Sequence, residues 1–200
     1  MSKERRRGTP AGQLARRQRS DAAAVGRCPF SEENVRGMAS FETALRALNT
    51  MKEDGVIADY AVAGGMAQGF WVEAIATYDL DVLVSLPQAE GIIVSLAPIY
   101  EWAKKRGYGM LAEHVVIGEI PVQFLVSPGA LTDEAIESAA TLKFGDTTIR
   151  VVRPEYLIAM YLHGSARTRQ RRERAAVLRD EGNIDASLLG DLMTRFHLEF

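Results

Sequence analysis

The amino-acid sequence predicts a mixed α+β fold, a central sheet flanked by helices with an all-helical C-terminal third. Three observations carry this expectation. Short apolar runs, among them Asp59–Ala63, Tyr78–Leu86 and Ile120–Val126, have the length and residue types of strands. Longer stretches between them place apolar residues three or four apart, the spacing of one helix face. After Pro154 the helical spacing continues unbroken by strand signals. With 200 residues, 47 % hydrophobic and 25 % charged, the chain can fill one core of ordinary size without disulfides or metals. Three parts are expected: a basic, disordered arm over 1–30, an α/β core over 31–152, and a helical region over 153–200 packed on that core.

The elements follow in order. Ser31 and Glu33 open a helix to about Lys52, with Val35, Met38, Phe41, Leu45, Leu48 and Met51 on one face. Asp54-Gly55 ends it. The strand Asp59–Ala63 turns at Gly64-Gly65 into a short helix carrying Met66, Ala67, Phe70 and Trp71. Tyr78–Leu86 is a second strand, closed by Pro87. Gly91–Arg106 reads as a helix kinked at Pro98 and stopped by Gly107. Gly109–Val116 and Ile120–Val126 read as two strands joined at Gly118-Glu119. A short helix over Leu131–Ala139, with Thr132 as its cap, precedes a hairpin around Gly145-Asp146. Helices over Pro154–His163, Thr168–Asp180 and Asp185–Phe196 complete the chain, Pro154 suiting a first helical turn.

Composition narrows the chemistry. The net charge of −2 conceals a basic N-terminal stretch poor in large apolar residues, which reads either as an arm attracted to nucleic acid or as a solvated tail. The single cysteine, Cys28, excludes an internal disulfide framework and fits a reducing cytoplasm. No apolar run approaches the roughly 18–20 residues that cross a bilayer, so a cytoplasmic protein without membrane partners is expected. His114, His163 and His197 lack the spacing of zinc ligands.

Asp79 and Asp81 stand inside the apolar run Tyr78–Leu86, and buried carboxylates ask for a cationic partner. Residues i and i+2 of a strand share a face about 6.5–7 Å apart, a separation at which two carboxylates close on a hard cation. Magnesium is commonly held this way, by one or two carboxylates and substrate phosphates. Upstream, Gly64-Gly65 offers bare backbone where a phosphate can approach; alone it is also a plain turn. Together the two features make the equipment of phosphoryl or nucleotidyl transfer.

The segment VAGGMAQGFWVEAIATYDLDVLV resembles the glycine-pair and alternating-aspartate signature of the nucleotidyltransferase superfamily, and more narrowly the AbiEii-type proteins of abortive-infection and toxin–antitoxin systems. The resemblance extends through IPVQFLVSPGALTDEAIESA and VRPEYLIAMYLHGSARTRQRRERAAVL. It implies a polymerase-beta-like core that binds an NTP with Mg2+. In that setting Gly64 and Gly65 contact the triphosphate and Asp79 and Asp81 ligate the metal. Among the neighbouring residues, Arg167 and Arg169 read as a clamp on the triphosphate or on an acceptor nucleic acid, or as a solvated helix face. Thr77 reads as a hydrogen-bonding support of the nucleotide and metal site or as a plain strand residue. The implied reaction moves NMP to an acceptor, a tRNA or a protein hydroxyl, and a cognate antitoxin is the implied partner.

Two departures stand out. Catalytic members usually carry a third carboxylate on a neighbouring strand, and the matching position here is Gln123. An amide cannot take up a proton near neutral pH. Either Glu113 or Glu119 substitutes, or the domain binds nucleotide as a regulatory module without efficient transfer. Relatives also show R-x-K-D where this chain has Arg167-Thr168-Arg169-Gln170, keeping the positive charge and losing the acid. Arg171 and Arg172 read as a solvated helix face. A third possibility makes the basic arm the working part, in a nucleic-acid-binding protein.

Overall fold

A computed structural model describes residues 32–73, 79–87, 95–164 and 168–200. The chain divides into a unit ending at Arg36 and one running from Gly37 to Phe200. Its architecture is mixed α+β: seven strands in one sheet and seven helices among the described residues.

Helix α1 (Glu32–Glu53) leads into β1 (Asp59–Val62), the five-residue helix α2 (Gly64–Gln68) and β2 (Leu80–Ser85). Helix α3 (Ala97–Lys105) precedes β3 (Gly109–Leu111), β4 (His114–Ile117) and β5 (Ile120–Val126). Helix α4 (Ala130–Glu137), the hairpin β6 (Ala140–Phe144) and β7 (Thr147–Val151), and helices α5 (Pro154–Leu162), α6 (Arg169–Glu181) and α7 (Ala186–Arg195) complete it. The sheet order is β3-β4-β5-β2-β1-β7-β6. Strands β2 and β5 run parallel at its centre, β1 runs antiparallel to β2 and parallel to β7, and both ends are hairpins.

The core follows the periodicities that predict it. Phe41, Ala44, Leu45, Leu48 and Met51 are buried along α1, and Leu80, Val82 and Val84 along β2. Met38 departs from the expected stripe and is 51 % exposed, since among the described side chains, which leave out Val35, the buried face of α1 begins at Phe41. Pro98 does not kink a long helix; it occupies the first turn of α3, where its missing N–H has no helical partner to lose. The expected strand over 109–116 is broken into β3 and β4 at Ala112, whose φ of +52° turns the chain. Between β4 and β5, Gly118 and Glu119 both have positive φ, the backbone of a tight hairpin turn. Gly118 is also required sterically, because a Cβ there would lie 2.7 Å from the Ser40 carbonyl oxygen. Thr132 is not the cap of α4: Gly129 is, and the Thr132 hydroxyl sits within the first turn, donating to the Gly129 carbonyl at 2.8 Å. The tail of the helical region is pinned by Glu155, 1 % exposed, which accepts from the Asp185 amide at 2.7 Å and lies 3.3 Å from Arg153 Nε.

Asn49 stitches three elements together. Its carbonyl accepts from the Tyr60 hydroxyl at 2.6 Å, and its amide donates to Thr147 Oγ1 and the Thr148 carbonyl. Tyr60 is 1 % exposed, and burial pushes its phenol up to about 12. The folded pKa therefore lies above the unfolded value of about 10. This contribution is complete below pH 10 and is lost as pH rises to 12, amounting to roughly 2–3 kcal/mol for a two-unit difference. Urea midpoints measured from pH 9 to 12 are expected to fall over that window, and Tyr60→Phe to fall less.

Candidate active site

The site forms where β1, β2 and β5 lie side by side. Asp81 is the registered partner of Gln123 in the parallel β2–β5 pair, so both side chains leave the same face of the sheet. The register between β4 and β5, Val115 with Val122, continues by one residue to set His114 beside Gln123 on that face. On the other flank the Ala63 amide donates to the Asp81 carbonyl at 2.8 Å, closing β1 against β2 just before Gly64-Gly65. Asp79 stands in the bend that enters β2, one residue before the strand begins.

Gly64 is built into this corner by sterics. Its φ is +61°, and a Cβ on it would lie 1.9 Å from Asp81 Oδ2 and 2.8 Å from Asp81 Cγ. Only a residue without a side chain allows the carboxylate to rest against the start of α2. Gly65, the next residue, is buried.

Asp81 is half-buried and its carboxyl is held above the ordinary carboxylate range. Burial is the leading cause and the neighbouring charge of Asp79 adds to it, while Arg174 and His114 act in the opposite direction. Arg174 enters from α6. It hydrogen-bonds the hydroxyl of Tyr161, which burial pushes upward despite that cation, and Tyr161 also donates to Gln68 Oε1 at 3.4 Å. Gln68 is 0 % exposed and lies four residues after Gly64, at the end of α2. Two donors in this cluster, Arg174 Nε and Gln68 Nε2, are buried with no hydrogen-bond partner among the described residues.

The predicted residues therefore separate into groups. Gly64, Gly65, Asp79, Asp81 and Gln123 are brought together at the junction of β1, β2 and β5. Arg169 is not: its side chain is 92 % exposed and bonds Glu173 at 2.7 Å, because it begins the solvent side of α6. Thr77 and Arg167 lie outside the described residues. Arg171, expected on a solvated face, is half-buried and donates to the Met160 carbonyl at 2.7 Å. Glu113 and Glu119 are exposed in the turns flanking β4, off the row that holds Gln123. Tyr156 is buried and its hydroxyl points to Glu134 Oε2 at 3.4 Å.

Sequence reasoning missed Arg174, Tyr161, Gln68 and the placement of His114. The signals were modest but present. Arg171, Arg174, Ala175 and Leu178 recur at three- and four-residue spacing, which puts two arginines on the buried side of α6.

No cluster of three or more His, Cys, Asp or Glu side chains able to hold a metal occurs among the described residues. The donor set is instead two carboxylates and an amide beside buried N–H donors that lack a partner among the described residues. That set fits a hard cation shared with an anion, because two carboxylates leave the remaining coordination positions to phosphate oxygens and water.

No family model matches this chain, and no curated protein does either. It is similar to solved structures at low identity. One is an antigenic nucleotidyltransferase-like protein from Paracoccidioides brasiliensis, 13 % identical, covering 84 % of this chain and 89 % of that one with a TM-score of 0.49. Another is the antibiotic-resistance factor ANT(2'')-Ia in solution, 14 % identical over 78 % of this chain and 91 % of that one, TM-score 0.42. The crystal structure of ANT(2'')-Ia with adenylyl-2''-tobramycin is 13 % identical over 78 % and 97 % of the two chains, TM-score 0.44. No helix among the described residues is long and apolar enough to cross a membrane.

Proposed function

We propose that this chain is a magnesium-dependent nucleotidyltransferase that moves NMP from an NTP to a hydroxyl acceptor. The observation that carries the reading is the seating of Asp81 against the side-chain-free Gly64, beside Asp79 and opposite Gln123. Asp79 and Asp81 would hold the metal, and Gly64-Gly65 admits the triphosphate to bare backbone. When bound, magnesium supplies charge neutralisation on the phosphates. Arg174, supported by Tyr161, adds a fixed positive charge toward the same corner, and the spare Arg174 Nε and Gln68 Nε2 donors suit phosphate oxygens. Gln123 accepts or donates a hydrogen bond to the incoming hydroxyl but takes up no proton. A role as the toxin of a toxin–antitoxin or abortive-infection pair, with a cognate antitoxin, belongs to the same proposal.

Calorimetry with each of the four NTPs and Mg2+ tests it, on the wild type and on Asp79→Ala/Asp81→Ala. Binding that requires both aspartates, followed by label transfer, supports the enzyme. Absence of binding to every NTP overturns it.

A second reading, a nucleotide-binding regulatory module, is favoured by Gln123 alone. Gln123→Asp separates the two. The new carboxylate would share the face and register of Asp81, and general-base assistance is worth about 10²–10⁴-fold. Turnover is expected to rise at least tenfold in an enzyme that lacks a base. A module with no transferable geometry stays silent.

A further inference from the structure

One row beyond Asp81 and Gln123, the same sheet face borders a cavity of about 1230 Å³, slightly above the usual range for small-ligand sites. Leu83 and Leu125 both line it. They are registered partners two residues along from Asp81 and Gln123, which sets them about 6.5–7 Å further along the strands. Two helices give the same adjacency independently. Arg171 lines the cavity while Arg174, one turn later on α6, acts on Asp81. Met160 lines it while the next residue, Tyr161, belongs to the Arg174 cluster.

The chemistry of the wall is selective. Its large surfaces are apolar and aromatic, including Tyr100, Met160 and Phe196. No carboxylate occurs among its described lining residues, whose only basic groups are His163 and Arg171. A polycationic acceptor would be desolvated there without a counter-charge. A polynucleotide needs an extended basic groove with stacking platforms, which a concave apolar cavity does not supply. Rings and hydrocarbon lose water favourably in such a space.

We propose that this cavity seats the acceptor, a small hydroxyl compound with an apolar body of one or two rings and no positive charge. The assignment rests on the nucleotidyl-transfer reading above. The acceptor oxygen attacks the α-phosphorus as the α–β bridging bond breaks. Pyrophosphate leaves with the electron pair, and the hydroxyl proton passes to bulk water. The products are the NMP ester of the acceptor and pyrophosphate.

The test uses the full chain and 1-anilinonaphthalene-8-sulfonate, an apolar ring system with one negative charge. Saturable fluorescence is expected, weakened at least fivefold by Ala130→Trp and by Ala97→Trp. These substitute exposed residues on two different walls, and circular dichroism checks that both variants fold. The Asp79→Ala/Asp81→Ala protein should bind the probe as well as the wild type. 2-Naphthol is expected to displace the probe and kanamycin to leave it in place. Equal probe binding in the wild type and both tryptophan variants overturns the cavity as a ligand site. Displacement by kanamycin overturns the charge assignment. Label transfer from NTP to bulk tRNA that survives Ala130→Trp undiminished overturns the acceptor class. Failure of Mg-NTP to bind at all removes the nucleotidyl reading instead, and leaves the probe measurements interpretable on their own.

Discussion

Asp81→Asn is expected to lower nucleotidyl transfer by about a thousandfold or more while the protein stays folded. Removing one group aimed at developing charge commonly costs 10²–10³-fold, and loss of a metal-holding carboxylate adds the loss of charge neutralisation. The fold should not suffer. Asp81 is half-buried, close to the like charge of Asp79, and its ionised form is disfavoured where it stands. An amide of the same shape relieves both penalties, so the melting temperature of the nucleotide-free protein is expected to hold or rise. Single-turnover label transfer and thermal melts on the same preparation check the two halves. A variant that loses activity because it unfolds would contradict the role assigned to Asp81, and so would one that melts higher yet transfers normally.

Gly64→Ala is expected to lower Mg-NTP affinity and turnover at least a hundredfold, with a stability loss of only about 1–2 kcal/mol. The left-handed backbone at φ +61° accounts for that loss, since a Cβ is disfavoured there by roughly this amount. The functional loss is larger because the atom met at 1.9 Å is Asp81 Oδ2, the end of a side chain that can swing away. Relief of the clash therefore preserves the fold and misplaces the carboxylate. Calorimetric affinity for Mg-NTP, read against a urea midpoint, measures the separation. An alanine variant with wild-type affinity would show that the close approach of Gly64 to Asp81 is incidental.

Much of this was legible beforehand, for reasons that can be stated. The alternation in Leu80–Ser85 and the spacing along α1 are local, and local periodicity is what a sequence displays directly. The Gly64-Gly65 turn and the Asp79/Asp81 pair were legible because a charge inside an apolar run is costly to bury and so conspicuous. What the sequence does not display is which side of a charged helix is buried. Arg169 and Arg174 are chemically alike and five positions apart, but the core of the C-terminal helices lies under Ala175 and Leu178, so Arg174 is drawn in and Arg169 is left in solvent. His114 reached its place through strand register, a pairing property that no single segment encodes. The break at Ala112 leaves a weak local trace, because a positive φ at a non-glycine residue is not written in the sequence, and Pro98 opens α3 as Pro154 opens α5 although apolar spacing continues before it.

The Tyr161–Gln68 contact joins residues 93 positions apart, and Arg174 comes later still. Contacts of such range form only after long loops have closed, and they arrive late in folding. On the ribosome, a growing chain would hold Gly64, Asp79, Asp81 and Gln123 well before α6 had been made. Until then the two aspartates repel each other without their compensating arginine. The corner around Asp81 thus gains its cation only when two segments made far apart in time come together.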